Sequence, residues 1–358
     1  MNNDKYSVIV DLLRKEILDG KYAAPGKFPS ERELVARFGV SRPPVQRALK
    51  ELKAQGYLTQ RQGLGTFVTK FARNLGGAIG LIVPGFGHGE IFTPICRELS
   101  RLAQQAGLTL CFGSCDAEDP KERARLAKEL ARKYAQEHVS GVIFQPIEFV
   151  KNMESLNREV TAVFDAENIP VVLIDWDVVP SPGRSEYDLV GINNFESGRR
   201  VAAHLLEIGA KRIRFLTWNN CANSVRNRIS GARSVVPGRG EVELTLNPKD
   251  ERSVRRVFSG RSAPDAVICG NDAMAAHLAI ALREFGRRIP EDVKIVGFDD
   301  VQYATIVEPQ LTTIHQPCAD IARTAFKLLL ERIATPNLPP RECFLNAPLM
   351  VRGSTVRN

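Results

Sequence analysis

The apolar periodicity of this chain changes once, near residue 77, and that change rules out one repeating architecture for the whole. Up to residue 70, apolar residues recur at helical spacing in three stretches, and a hairpin pattern closes the segment. Val8, Leu12, Leu13 and Ile17 mark one side of a helix over 5–19, which Gly20 stops. Ser30, with Glu33 three residues on, has the spacing of a capping box, and Leu34, Val35 and Phe38 follow before Gly39. A third helix runs from Ser41 to about Gln55, with Val45, Ala48, Leu49 and Leu52 facing inward. Residues 57–61 and 66–69 then read as strands joined by Gln62-Gly63-Leu64-Gly65, a turn that glycine permits. Three helices and a hairpin, with a tight Gly39-Val40 connection, describe a winged helix-turn-helix.

Residues 71–77 read as a linker. Beyond them, strand-length apolar runs at 78–83, 108–112, 141–144, 171–174, 189–192, 213–216, 266–269 and 293–298 alternate with helical patterns. Such alternation builds parallel sheets covered by helices on both faces. Residues 78–358 are many for one core, because single cores stop growing near ~250 to 300 residues. The predicted fold is therefore a small winged helix-turn-helix (α+β) domain over 1–70 followed by an α/β domain of two parallel-sheet lobes. The first lobe is placed at about 78–178 plus 317–343, the second at about 186–314 plus 346–358.

Charge divides the chain at the same place. Residues 1–70 hold 13 Lys and Arg against 7 Asp and Glu, a net of +6 out of the +8 carried by all 358 residues. A basic module on a nearly neutral partner points to a polyanion as its target. The N-terminus lacks the apolar core of a signal peptide, and no apolar run is long enough to span a bilayer, so the expected location is the cytoplasm, with no membrane contact. Seven cysteines without CxxC spacing read as free thiols, and five scattered histidines form no ligand set. No catalytic residue, cofactor or metal is expected.

On the third helix Arg42, Gln46, Arg47 and Lys50 lie opposite the apolar positions. A helix in the major groove needs long donors there, with Arg suited to guanine and Gln to adenine. A solvated charged face is the plainer reading of the same pattern. Pro43 and Pro44 are tolerated in the first turn, and they leave the Ser41 hydroxyl without a helical N–H to accept from.

Phe28-Pro29-Ser30-Glu31-Arg32-Glu33-Leu34, Gly39-Val40-Ser41-Arg42, Ala48-Leu49-Lys50-Glu51-Leu52, Gly56-Tyr57-Leu58 and Gly63-Leu64-Gly65-Thr66-Phe67-Val68 together resemble the GntR-type winged-helix domain. The resemblance covers nearly all of 5–70 and implies contacts to double-stranded DNA from Arg32, Ser41, Arg42, Pro44, Gln46, Arg47, Gln62 and Gly63. The family often has Arg where Gln46 stands, which implies a different base preference here.

In the second part, polar or aromatic residues follow the candidate strands: Phe86, Gln145, Asp175 with Trp176, Asn193, Trp218, Asn271 with Asp272, and Asp299 with Asp300. Ligands of open α/β sheets bind beyond those strand ends, and carboxylates and amides beside aromatic faces suit a polyol. Any one of these residues is equally explained as a helix cap. The runs Pro264 to Ala275, Ile289 to Asp300 and Leu311 to Pro317 resemble the LacI-type regulators, whose sensor has a periplasmic-binding-protein-like fold. That resemblance implies contacts to a small, sugar-like effector from Asp175, Arg228, Asn271, Asp299 and Gln316, with the Phe86 loop and Phe92 closing over it. The two halves together resemble the arabinose-responsive repressor type in architecture: a DNA-binding transcriptional repressor, dimeric in expectation, with the sugar left open. The competing reading, a nicotinamide-sensing regulator or oxidoreductase, rests on Gly85-Phe86-Gly87-His88-Gly89. It lacks the third glycine of a dinucleotide loop, since position 90 is Glu90.

Overall fold

The computed structural model describes residues 3–18, 21–22, 26–54, 57–61, 63–68, 77–83, 91–236 and 242–356. The expected linker up to residue 76, the loop with Phe86, and Gln62 lie outside the described residues.

In the head, α1 (Asn3–Leu18), α2 (Glu31–Phe38) and α3 (Arg42–Ala54) pack around Leu13, Leu34, Val45 and Leu52, each 0 % exposed. The Ser30 hydroxyl accepts from the Glu33 N–H while the Glu33 carboxylate accepts from the Ser30 N–H at 2.6 Å, so the capping box is complete. Gly39 ends α2 at φ 60°, a left-handed conformation that glycine adopts without penalty. Strands β2 (Leu58–Arg61) and β3 (Gly65–Val68) form the antiparallel wing, and β1 (Gly26–Lys27) pairs with the other edge of β3. The sequence pattern misses β1 because two residues carry no period.

The larger part contains β4 (Ala78–Val83), β5 (Thr109–Ser114), β6 (Gly141–Phe144), β7 (Val171–Ile174), β8 (Asp188–Ile192), β9 (Ile213–Leu216), β10 (Glu243–Leu244), β11 (Ala266–Cys269), β12 (Lys294–Asp299), β13 (Thr312–His315), β14 (Glu342–Leu345) and β15 (Leu349–Met350). These form two six-stranded sheets, ordered β14-β8-β7-β6-β4-β5 and β10-β9-β11-β12-β13-β15. All pairings are parallel except β13 with β15. Helices α4 (Phe92–Gln105), α5 (Pro120–Gln136), α6 (Met153–Ala166) and α12 (Cys318–Ala334) cover the first sheet. Helices α7 (Asn194–Glu207), α8 (Asn223–Arg233), α9 (Glu251–Phe258) and α10 (Asp272–Glu284) cover the second, and a short α11 (Gln302–Ile306) follows β12. Each sheet is thus buried on both faces, which is why β6, β7 and β11 are continuous apolar runs rather than alternating ones.

The chain passes between the lobes three times: after Ile192, after Gln316 and after Leu345. The first passage differs from the sequence reading, which starts the second lobe near 186. Strand β8 pairs with β7, Leu173 opposite Leu189, and so extends the first sheet. Its first residue explains the choice. Asp188 is fully buried, and its carboxylate accepts from Arg332 Nη2 at 2.9 Å and from the Arg341 backbone N–H at 2.8 Å. One carboxylate therefore ties β8 to α12 and to the start of β14, both in the first lobe.

Removing it leaves the Arg332 guanidinium, 11 % exposed, without its carboxylate, while Arg341 keeps Glu331 at 2.6 Å. Asp188→Ala should lower stability by about 2 to 4 kcal/mol, the lower part of the range for breaking a buried pair because Arg341 keeps Glu331, read as a shift in the urea unfolding midpoint. An unchanged midpoint would show that the pair contributes nothing net.

Candidate functional site

Two surfaces carry the residues singled out by sequence. On the head, Arg32, Ser41, Arg42, Gln46, Arg47 and Lys50 are exposed, and Pro44 is half-buried. Glu31, in the first turn of α2, holds two of them: its carboxylate lies 2.7 Å from Arg42 Nε and accepts from Gln46 Nε2 at 3.1 Å. Arg42 remains 74 % exposed in its side chain, so this pair sits in high dielectric and is weak. Arg47 turns toward α1, its guanidinium 4.2 Å from the centre of the Tyr6 ring, and Tyr6 in turn donates to Glu51. At the wing tip Gly63 has φ +74° and Leu64 is 61 % exposed. Because α3 begins at Arg42, Pro43 and Pro44 occupy the positions whose N–H groups the Ser41 hydroxyl would otherwise cap.

The second surface is the cleft between the lobes, where the carboxyl ends of both sheets meet. Phe92, Asp175, Arg228, Asn271, Asp299 and Gln316 all line one cavity of about 70 Å³. Each arrives by a definable route. Asp175 follows β7, Asn271 follows β11, Asp299 ends β12, and Gln316 follows β13 at a passage between lobes. Phe92 opens α4.

Arg228 comes from the middle of α8 and is 3 % exposed. It reaches that depth because α7 and α8 touch through glycine: a methyl on Gly198 would stand 2.0 Å from the Arg228 carbonyl oxygen. Its guanidinium donates to Asn194 Oδ1 at 2.8 Å and to the Gly270 carbonyl at 2.8 Å, lies 4.4 Å from the centre of the Phe298 ring, and stands 3.9 Å from Asp299 Oδ1. Asp299 Oδ1 also accepts from Gln316 Nε2 at 2.8 Å.

Asp175 and Asp299 hold positive φ angles of 71° and 110°. Such conformations cost of order 1–3 kcal/mol each and cluster at binding sites. The polar atoms left over are acceptors. Gln145 Oε1 and Asp175 Oδ1 are buried without a hydrogen-bond partner, while Asp175 Oδ2 accepts from the Ser224 hydroxyl at 3.1 Å. Burial raises the Asp175 carboxyl, against the pull of Arg228. Burial, and then the Asp175 charge, push Glu148 up to about 7. A cavity with orphaned acceptors and a surplus of carboxyl groups is completed by a donor-rich guest.

Several flagged residues play structural parts. Asp272 is fully buried and accepts from the Thr313 hydroxyl at 2.7 Å and the Val301 N–H at 3.0 Å, binding α10 to β12 and β13. Asp300 pairs with Arg352 at 2.6 Å and His315 at 2.9 Å. Asn193 caps α7 through the Glu196 N–H. Asn271 does both: its Oδ1 accepts from the Met274 N–H at 2.8 Å, and it walls the cavity. The site also uses Glu148, Phe149 and Ser224, which carry no strand-end signal, while Gln145 and Trp218 line it as their strand-end positions imply. Among the described residues there is no group of three His, Cys, Asp or Glu that holds a metal ion, and no helix is long and apolar enough to cross a membrane.

Residues 5–68 match the sequence profile of the bacterial regulatory proteins, gntR family, and residues 202–355 match that of the periplasmic binding protein-like domain. The arabinose metabolism transcriptional repressor of Halalkalibacterium halodurans is 27 % identical over 350 residues, 92 % of this chain and 89 % of that protein. The HTH-type transcriptional repressor PurR of Escherichia coli is 29 % identical over 286 residues, 77 % of this chain and 79 % of its own length. Among solved structures, a LacI family transcriptional regulator from Enterococcus faecalis with bound ribose superposes with TM-score 0.65 at 25 % identity, covering 78 % of this chain and 98 % of that one.

The Glu148 carboxyl gives the cleft a pH signature. Its folded value near 7 lies above its ordinary 4.5, so its contribution to stability is full below 4.5 and is lost as pH rises through 7. The stability of the wild type relative to Glu148→Gln should therefore fall between pH ~4.5 and ~7. Parallel melting curves for the two proteins across that window would show that Glu148 is not desolvated.

Proposed function

We infer that this chain, a gntR-family regulatory head joined to a periplasmic binding protein-like sensor, is a DNA-binding transcriptional repressor controlled by a small sugar-like effector held between the two lobes of the sensor. One observation carries the ligand half of this reading: the polar atoms without partners in the cleft, Gln145 Oε1 and Asp175 Oδ1, are both acceptors. Sugar hydroxyls donate to such atoms and accept from Arg228 at the same time. The bound ribose in the Enterococcus faecalis regulator supports this class of guest.

On the head, Arg42 and Gln46 present donors for base edges, and the backbone at Gly63 and the Ser41 hydroxyl suit phosphates. Arg32, Pro44, Arg47 and Gln62 complete the proposed DNA contacts. DNA competes with Glu31 for Arg42 and Gln46, and an exposed pair of this kind yields readily. One such head reads only a few base pairs, so repression needs a homodimer with half-sites about one helical turn, ~10 bp, or a multiple of it apart. Work on DNA places the protein in the cytoplasm.

Two variants separate the halves. With DNA selected from a random-sequence pool, Arg42→Ala should lose ~1 to 3 kcal/mol of specific affinity and keep its sugar response. Asp175→Asn keeps a residue type that tolerates the left-handed backbone and an acceptor for Ser224. It should bind DNA as the wild type does, yet lose the thermal stabilisation that a matching sugar gives, which at a hundred times Kd amounts to ~2.7 kcal/mol. If Asp175→Asn instead loses DNA affinity while folded, the cleft carboxylate holds structure and not ligand.

A further inference from the structure

The far end of the second lobe carries a cluster of cations that neither the head nor the cleft uses. Between residues 250 and 293 the chain has seven arginines and no lysine. Helix α10 starts beside the effector cavity, where Asn271 and Met274 are walls, and its 13 residues carry the chain about 20 Å away. Helix α9 ends at the same edge, since Arg255 and Arg287 both lie against the Phe285 ring, 4.8 and 5.6 Å from its centre. There Arg283, Arg287 and Arg288 line a pocket of about 420 Å³, with Ile289 and Pro309 as its apolar wall and Glu291 as a carboxylate at its side.

The arginines differ in what already holds them. Arg288 is satisfied: the Asp292 carboxylate accepts from its Nη2 at 2.7 Å and its Nε at 3.1 Å, and that guanidinium holds the Asp292 carboxyl down to about 2. Arg255 pairs with Glu251 at 2.7 Å. Arg283 and Arg287 are held differently, each by one bond to a backbone carbonyl. Arg283 Nη1 donates to Glu308 at 2.7 Å and Arg287 Nη2 to Phe258 at 2.5 Å, and neither has a carboxylate partner among the described residues. A guanidinium carries five N–H donors in one plane, so most of each fork remains unused in a fixed place.

Capping explains part of this arrangement. Phe258 is the last residue of α9, and a cation there meets orphaned carbonyls and the negative end of the helix dipole. The ends of α9 and α10 together amount to about one elementary charge. Arg283 and Arg287, with Arg256 in the last turn of α9, which also lacks a carboxylate partner among the described residues, exceed that need.

Guanidinium forks match phosphate oxygens in pairs, which an ammonium does not. The pocket volume falls within the ~300 to 1,000 Å³ of small-molecule sites. We propose that this pocket is a second ligand site, taking the phosphate of a small phosphomonoester between Arg283 and Arg287 and its carbon body against Ile289 and Pro309. It shares no wall with the effector cavity, so it gives the second lobe an input separate from the cleft and does not rest on the sugar reading.

The test titrates the full chain calorimetrically, at constant ionic strength, with inorganic phosphate, glycerol 3-phosphate and ribose 5-phosphate, and with glycerol as the uncharged control. At least one of the two esters should bind with Kd below about 1 mM and more tightly than inorganic phosphate, and glycerol should not bind. Arg283→Lys and Arg287→Lys each keep the charge and a donor for the carbonyl but lose the fork, so each should weaken that ester about tenfold while melting near the wild-type temperature. Arg42→Ala on the head and Asp175→Asn in the cleft should leave its affinity within about threefold. Wild-type protein that binds neither ester, or lysine variants that bind as the wild type does, overturns the site. Binding lost in Arg42→Ala or in Asp175→Asn also overturns it, because the anion then sits on the DNA-binding face or in the cleft.

Discussion

A single buried cation organises the second wall of the cleft. Moving a guanidinium out of water costs several kcal/mol, which hydrogen bonds and a nearby counter-charge offset. Arg228 meets the requirement with groups from four places: the start of α7, the end of β11, the ring of Phe298 within β12, and the carboxylate at the end of β12. Of these, β11 and β12 are strands whose carboxyl ends form the ligand side of the second sheet. The contact that admits it, Gly198 against the Arg228 carbonyl, leaves no room for a methyl, so helix packing and site geometry are one constraint.

Around this cation the carboxyl groups are in surplus. Asp299 is nearest, Asp175 and Glu148 face the same space from the first lobe, and Asp272 is withdrawn behind β12 and β13. Burial raises Glu148, Asp175 and Asp272, each away from its charged form. The cleft without ligand is therefore a strained arrangement in two respects, orphaned acceptors and left-handed aspartates, and a donor-rich guest relieves the first. An unpaired buried acceptor costs about 1 to 3 kcal/mol. The two oxygens of Gln145 and Asp175 thus amount to a few kcal/mol, comparable to a useful effector affinity difference.

Much of this was legible in the sequence because the signals were local. The capping box at Ser30 and Glu33, the left-handed stop at Gly39 and the apolar runs that became β6, β7 and β11 depend on nearest neighbours and on period. The six described effector positions meet in one cavity because sheet topology carries strand ends to a common place. What stayed hidden depended on partners far along the chain. Whether β8 joined the first or the second sheet was decided by Arg332 and Arg341, some 150 residues downstream of Asp188. Glu148, Phe149 and Ser224 enter the site from loops and a first helical turn, where no periodicity marks them. Arg47 lies on the exposed face of α3, and its guanidinium also rests over the Tyr6 ring of α1, a contact that helical spacing alone does not reveal.

The two halves meet through the helix that also walls the ligand cavity. Phe92, the first residue of α4, lines the cleft, while at the other end of the helix the Gln105 and Ala106 carbonyls accept from Arg14 of α1 at 3.3 Å and from the Tyr57 hydroxyl at 3.0 Å. Carbonyls at a helix C-terminus lack intrahelical partners, and a guanidinium there also meets the negative end of the helix dipole. Two such bonds contribute about 1 kcal/mol each. Coupling between sites is typically 1 to 3 kcal/mol, so contacts of this size are of the right order to transmit it and too weak to hold the head against DNA.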